Sequence, residues 1–279
     1  MSTTKLINSV AVFLTIFTIL TMSFHSVIDN REFEESSILD DSNSSIDYFA
    51  LKNSNDWSSS ASSANPVVLT SVESTANNEV IVAGIMSGST TMSLGSQSIT
   101  SSQNIEPWIA KGDANGNWQW IQKVTVTGTS SYAEVDIADI SVAPNGDIFA
   151  TGRFYESISF GSISLTSTGY FDTWVAKLSS NGQWVWAEAL RGNGDYDGAV
   201  VTSIDWIQST SLTTDSNNAV TIGGFFLGNT DAGNSGDGIN GNQLDLNDAE
   251  IFVAKYSNSG FSEWIDDARG QGFQVVNSM

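Results

Sequence analysis

The chain has 279 residues, with 10 basic and 31 acidic side chains, a formal net charge of -21, and no cysteine. Such a charge repels phosphate backbones and so disfavours DNA or RNA as a partner. The missing thiols exclude disulfides, thiolate metal sites and cysteine nucleophiles.

The first predicted element is an apolar run over residues 10–24 that follows Lys5, with no acidic residue before Asp29. A basic start, an apolar centre and small residues at Thr21 and Ser23 predict a signal peptide or membrane anchor over 1–26, formed as a hydrophobic helix. The run is shorter than the ~20 residues a spanning helix prefers, which favours a cleaved signal over a retained anchor. Residues 27–64 are rich in Ser, Asn, Asp and Glu and read as a polar, disordered linker. Within it, the apolar patch at 46–51 has strand character.

From residue 65 the sequence repeats. WIAKGDANGNWQW, WVAKLSSNGQWVW and FVAKYSNSGFSEW share one register. Trp108, Trp174 or Phe252 comes first, followed by Lys111, Lys177 or Lys255, then Gly116, Gly182 or Gly260, then Trp120, Trp186 or Trp264. Upstream lie NNEVIVAG, NGDIFATG and NNAVTIGG, which end at Gly84, Gly152 and Gly224. The copies span residues 65–130, 131–198 and 199–272, and 273–279 begin a fourth.

Each copy divides into four strands. In the middle copy they are predicted at 137–142, 147–154, 173–178 and 184–190, with a further short pair in ISFGSISLTS. Asn145-Gly146 and Asn181-Gly182 predict tight hairpins in which both residues take positive φ. The third strand is apolar on both faces, which suits a sheet covered on both sides.

These residues resemble the β-propeller repeats of secreted bacterial and archaeal proteins, the SBBP type. The middle copy carries the likeness best, in NGDIFATG, ISFGSISLTS, DTWVAKL and NGQWVW. The likeness covers residues 65–279 and implies an all-β fold of β-propeller-type blades, three four-stranded repeats being visible. Propellers close with four to eight blades. Three blades and the start of another therefore imply an incomplete propeller, a piece of a longer protein. There is also a partial likeness to the tryptophan-docking blades of quinoprotein dehydrogenases, through Ala176, Gly182 and Trp186 and their counterparts. The Asp of that motif is Gly112, Leu178 or Tyr256 here, so only a strand-turn-strand geometry is implied, with no quinone site.

Candidate chemistry is sparse. His25 is the single histidine, so Ser-His triads and clustered-His metal sites are unavailable. Asp195 with Asp197, or Asp245, Asp248 and Glu250, are the carboxylates that could act in pairs on a glycoside. Asp231, Asp237, Asp245 and Asp248 lie in a Gly- and Asn-rich loop and offer hard oxygen ligands for calcium, without matching the helix-loop-helix calcium motif. The in-register tryptophans are expected in the core between blades. The lysines are expected to lay their stems along the sheet and hold their ammonium groups at its edge. No catalytic residue is assigned, and no cofactor beyond calcium.

The resulting expectation is a secreted or surface-displayed, non-enzymatic binding, adhesion or scaffolding module. Its partner would be an extracellular protein or glycan, and its N-terminal segment would engage the membrane or the export machinery. The competing expectation is a propeller enzyme acting on carbohydrate through paired carboxylates.

Overall fold

The computed structural model describes residues 48–51, 57–101, 105–129, 133–168, 171–192, 206–227, 229–231, 238–240, 249–268 and 276. The export segment and its expected helix lie outside these residues. Among the described residues there is no helix, and every strand pairing is antiparallel.

The chain enters through a hairpin of β1 (Tyr48–Leu51) and β2 (Trp57–Ser62). Both strands fall inside the stretch read as linker. β1 coincides with the apolar patch at 46–51. β2, WSSSAS, has no apolar alternation and is held through backbone pairing, Ala61 opposite Leu94 and Ser62 opposite Ser93.

The first blade comprises β3 (Val67–Ser74), β4 (Val80–Ser87), an inserted hairpin β5 (Thr91–Leu94) and β6 (Gln97–Thr100), β7 (Ile105–Gly112) and β8 (Trp118–Lys123), followed by the short β9 (Thr125–Val126). The second blade is preceded by β10 (Glu134–Val135). It contains β11 (Asp139–Val142), β12 (Ile148–Tyr155), the hairpin β13 (Ser157–Phe160) and β14 (Ile163–Thr166), β15 (Asp172–Leu178) and β16 (Trp184–Gly192). The third has β17 (Trp206–Thr214), β18 (Val220–Leu227), the hairpin β19 (Asn229–Asp231) and β20 (Gly238–Asn240), β21 (Glu250–Tyr256) and β22 (Ser262–Ala268). Each blade is a meander in which the first, second, third and fourth main strands lie side by side.

The central strands of the middle blade are apolar on both faces because its sheet is covered by a neighbour on each side. Ile148, Ala150, Trp174 and Ala176 pack toward Ile81, Ala83 and Ile109 of the first blade, with Ile158, Phe160 and Leu165 of the inserted hairpin filling the space between. Phe149 and Val175, one residue out of phase, pack toward Val220, Ile222, Phe252, Ala254 and Tyr256 of the third blade. Phe160 wedges its ring 5.2 Å from Trp174 and 4.9 Å from Trp184. The inserted hairpin thus separates the outer parts of blades one and two, while their first strands stay within hydrogen-bonding distance. The sheets meet through their first strands, where Asp139 bonds both Ser71 and Ser211, and the described blades do not close a ring.

Gly84, Gly152 and Gly224 have a common cause. The first strand bulges opposite them in blades one and three. A Cβ at each glycine would lie 2.0, 2.2 and 2.0 Å from the carbonyl oxygens of Val68, Asp136 and Gln208. No side chain fits against a backbone carbonyl at that distance.

The hairpin turns form where expected, with a different backbone. Gly146 and Gly182 take positive φ, 84° and 78°, while Asn145 and Asn181 do not. The amide of Gly182 donates to Ser179 O at 2.8 Å, and that of Ser179 to Gln183 O at 2.8 Å. These are longer loops with a single left-handed residue, not two-residue turns with two. Asn78 and Asn218 take that place in the other two first hairpins, at φ 59° and 60°.

Candidate interaction surface

The repeated lysines sit on the third strand of each blade, opposite the repeated tryptophans: Lys111 pairs with Trp120, Lys177 with Trp186, and Lys255 with Trp264. Each ammonium meets a carboxylate from the first hairpin of its own blade. Lys111 is 2.9 Å from Glu79, Lys177 2.7 Å from Asp147 and Lys255 2.9 Å from Asp215. In the third blade the position matching Glu79 and Asp147 is Ala219. The acid has moved to the start of the turn, Asp215, and still reaches the lysine. The hydrogen bond from Lys255 holds the Asp215 carboxyl below its usual range, and Asp215 in turn holds the Lys255 ammonium above its own.

The tryptophans stitch one blade to the next. Trp120 donates its Nε1–H to Ser180 O at 3.2 Å, and its Cδ2 lies 2.6 Å from where a Cβ on Gly182 would be. Trp186 repeats the contact one blade on, donating to Asn258 O at 3.0 Å with Cδ2 2.8 Å from the same point on Gly260. Lys177 reinforces it by donating to the carbonyl and side-chain oxygens of Asn258. Trp120 and Trp186 are half-buried, and Trp264 is 41% exposed. The expectation of three buried tryptophans therefore fails at Trp264. A ring at this position is covered only by the turn of a following blade, and none of the described residues provides one. Trp108, Trp174 and Phe252, at the starts of the same motifs, are fully buried. Trp174 donates to Asp136 O at 3.0 Å.

Asp139 was invisible as a motif. Once the blades are aligned on Gly84, Gly152 and Gly224, Ser71, Asp139 and Ser211 occupy one register, opposite Ala83, Thr151 and Gly223. The Asp139 carboxylate accepts from Ser71 Oγ at 2.9 Å in the first blade, and from Ser211 Oγ at 3.2 Å and the Leu212 amide at 3.0 Å in the third. One side chain ties three blades together at their first strands. Burial pushes its carboxyl up, against the pull of those hydrogen bonds. Glu73 is raised too, by burial first and by the Asp139 charge second.

A second alignment gathers Glu106, Asp172 and Glu250, each two residues before the repeated aromatic and each buried. Asp172 accepts from the Thr168 and Gly192 amides, both at 2.8 Å, and Glu106 from Lys123 at 2.7 Å. Glu250, a candidate for paired-carboxylate chemistry, therefore occupies a repeated position buried inside the blade. Asp195, Asp197, Asp237, Asp245 and Asp248 lie outside the described residues. Asp231 lies on β19, where its backbone pairs with Arg191 and Gly238. Among the described residues no group of three His, Cys, Asp or Glu is placed to hold a metal.

An open groove of about 410 Å³ lies between the tail of blade one and the inserted hairpin of blade two, lined by Thr127, Gly128, Tyr155, Glu156, Ser157 and Ser167 among others. Glu156 takes φ 68°, a strained choice for a non-glycine residue. It is pinned by its amide donating to Ser167 Oγ at 2.8 Å and by the Ser167 amide donating to its carbonyl at 2.7 Å.

No family model matches the chain. It is 27% identical over 224 residues to an uncharacterized WD repeat-containing protein of Acanthamoeba polyphaga mimivirus, an alignment covering 70% of this chain. The chain spans 15% of that relative's length. With the stacked four-stranded meanders, this match points to a repeat β-propeller. It does not reach the narrower SBBP type.

Proposed function

We propose that the chain is a non-enzymatic propeller-type scaffold of the secreted or cell-surface kind, which presents blade faces and the groove beside Tyr155 to a protein partner. The observation that supports this best is where the repeated polar groups go. The lysines pair with acids of their own hairpins, Asp139 ties first strands together, and Glu106 and Asp172 hold blade ends. These groups maintain a stack of blades, and the distant WD-repeat relative agrees with an interaction scaffold. Export rests on the apolar run after Lys5 and on the likeness to secreted repeats.

Cell fractionation of the chain with its first 26 residues intact tests the localisation. Recovery outside the cytoplasm or with the membrane is expected, and a soluble cytoplasmic product with an intact N-terminus overturns it. Cysteines placed at Thr127 and Ser167 and carrying a photo-crosslinker test the groove. Crosslinks to protein at those two positions, and none at the exposed Val185 on β16, are expected. Equal labelling at all three positions removes the groove from the proposal.

A further inference from the structure

We propose that the groove beside Tyr155 is a site for a lysine or arginine side chain, with Glu156 as its counter-charge. This rests on the reading of that groove as a partner site and names the side chain it selects.

One departure among the repeats points to it. Four residues after Gly84, Gly152 and Gly224 stand Gly88, Glu156 and Gly228. Gly88 has φ 72° and Glu156 has φ 68°. The position takes a left-handed backbone, which costs glycine nothing and strains a glutamate. Two repeats place glycine there, so the hairpin needs no side chain at this point. Glu156 accepts the strain for what its carboxylate does, and strained residues of this kind cluster at binding sites.

The side chain lies across Gly128. A Cβ on that glycine would be 2.4 Å from Glu156 Oε2 and 2.8 Å from Glu156 Cβ. Gly128 stands eight residues after Trp120, as Gly194 and Gly272 do after Trp186 and Trp264. The glycine is therefore common to the repeats, and the carboxylate laid on it is not.

Among the residues lining the groove Glu156 is the one with a charge, the others being Gly128, Tyr155, serines and threonines. Ser157 Oγ and Thr166 Oγ1 lie exposed, 3.0 Å apart. A carboxylate for the charged head, hydroxyl oxygens for the remaining N–H groups and a tyrosine ring beside the stem suit a long basic side chain. The groove's volume of about 410 Å³ falls in the range that small-ligand sites occupy. Nearby cations have other roles: Arg153 pairs with Glu134 and Asp136, Arg191 donates to Thr166 O at 3.4 Å, and neither lines the groove. The net charge of -21 also steers basic partners toward the chain.

The test is a nuclear magnetic resonance titration of the full chain with a capped Gly-Arg-Gly peptide and its lysine and glutamine counterparts. About 0.15 M salt screens diffuse attraction to the acidic surface. Saturable shifts at the Gly128, Ser157 and Ser167 amides are expected with arginine or lysine and not with glutamine. Glu156→Gln should weaken that binding at least about tenfold. Glu156→Gly should weaken it as much and leave the thermal midpoint at or above that of wild type, because it restores the residue of the other two repeats. A lowered midpoint in Glu156→Gly would make the carboxylate a part of the fold and overturn the proposal. Unchanged binding in Glu156→Gln, equal shifts from the glutamine peptide, or shifts centred on exposed acids such as Glu263 and Asp266 would also overturn it. Protein crosslinks from positions 127 and 167 without peptide binding would sink this inference and leave the partner groove standing. Peptide binding without those crosslinks would uphold the basic-side-chain site and count against the protein partner.

Discussion

Trp186 fills the space that a Cβ on Gly260 would need: its Cδ2 atom lies 2.8 Å from that position. The same glycine has φ 87°, so two constraints meet at one residue. Gly146 has nearly the same backbone, φ 84°, but its closest neighbour to such a Cβ is Ser180 at an ordinary 3.6 Å.

The pair separates strain from packing. Gly146→Ala is expected to cost about 1–2 kcal/mol, the left-handed backbone penalty alone. Gly260→Ala should cost about 1–3 kcal/mol more, because the indole must move. Urea unfolding measures both. In a Trp186→Ala background the extra cost at Gly260 should vanish, and an undiminished cost would show that the ring is not its source.

Asp139 is the second point of leverage. Asp139→Asn puts an NH2 group where one side of the carboxylate now accepts, facing either the Leu212 amide and Ser211 or the Ile140 amide and Ser71. A loss of about 1–3 kcal/mol is expected. Hydrogen exchange should show β3 and β17 opening together, since one side chain holds both. Independent opening of the two strands would refute the coupling.

The blades were legible because their signals are local or in register. Turn residues, the double apolar phase of the third strand and the Trp-Lys-Gly-Trp spacing each follow from one blade's own geometry. Asp139 was not legible, because its partners are 68 and 72 residues away in other blades, and the residues matching it are serines. β2 was missed for another reason: WSSSAS pairs through its backbone and shows no apolar alternation. The exposure of Trp264 depends on whether a following blade is present, which no pattern within the motif can state.

The pH dependence should follow the buried acids. Asp139, Glu73, Glu134 and Glu188 all have carboxyls raised by burial. Their charged forms are disfavoured in the fold, so stability rises as pH falls through their raised values and the gain is complete at the ordinary carboxylate range, about 4. Asp113 and Asp215 are lowered by hydrogen bonds, and their contribution is lost as pH falls below that range. Melting temperature should therefore rise on mild acidification and drop in stronger acid. High salt screens the general repulsion of the net charge, so a rise that survives it belongs to the buried groups. Asp139→Asn should flatten the rise, and an unchanged profile would assign it to the others.

The last expectation concerns the displaced acid of the third blade. Lys177 and Lys255 occupy the same register, but the Lys177 side chain is 7% exposed and that of Lys255 23%. Removing a partner costs more where the remaining charge cannot reach water. Asp147→Asn leaves Lys177 with Asn258 and the face of Phe149 but no counter-charge, and should cost about 3 kcal/mol. Asp215→Asn leaves Lys255 hydrated and near Glu263, 3.6 Å away, so the loss should be smaller. If the two acids serve one purpose from two places, adding Ala219→Asp to Asp215→Asn should restore the pairing of the first two blades. The readout is the titration of Lys255 by nuclear magnetic resonance. Its ammonium, now held up by Asp215, should fall in Asp215→Asn and rise again in the double variant. A Lys255 that stays low in the double variant would mean that position 219 cannot reach it, and that the third hairpin differs in path as well as in sequence.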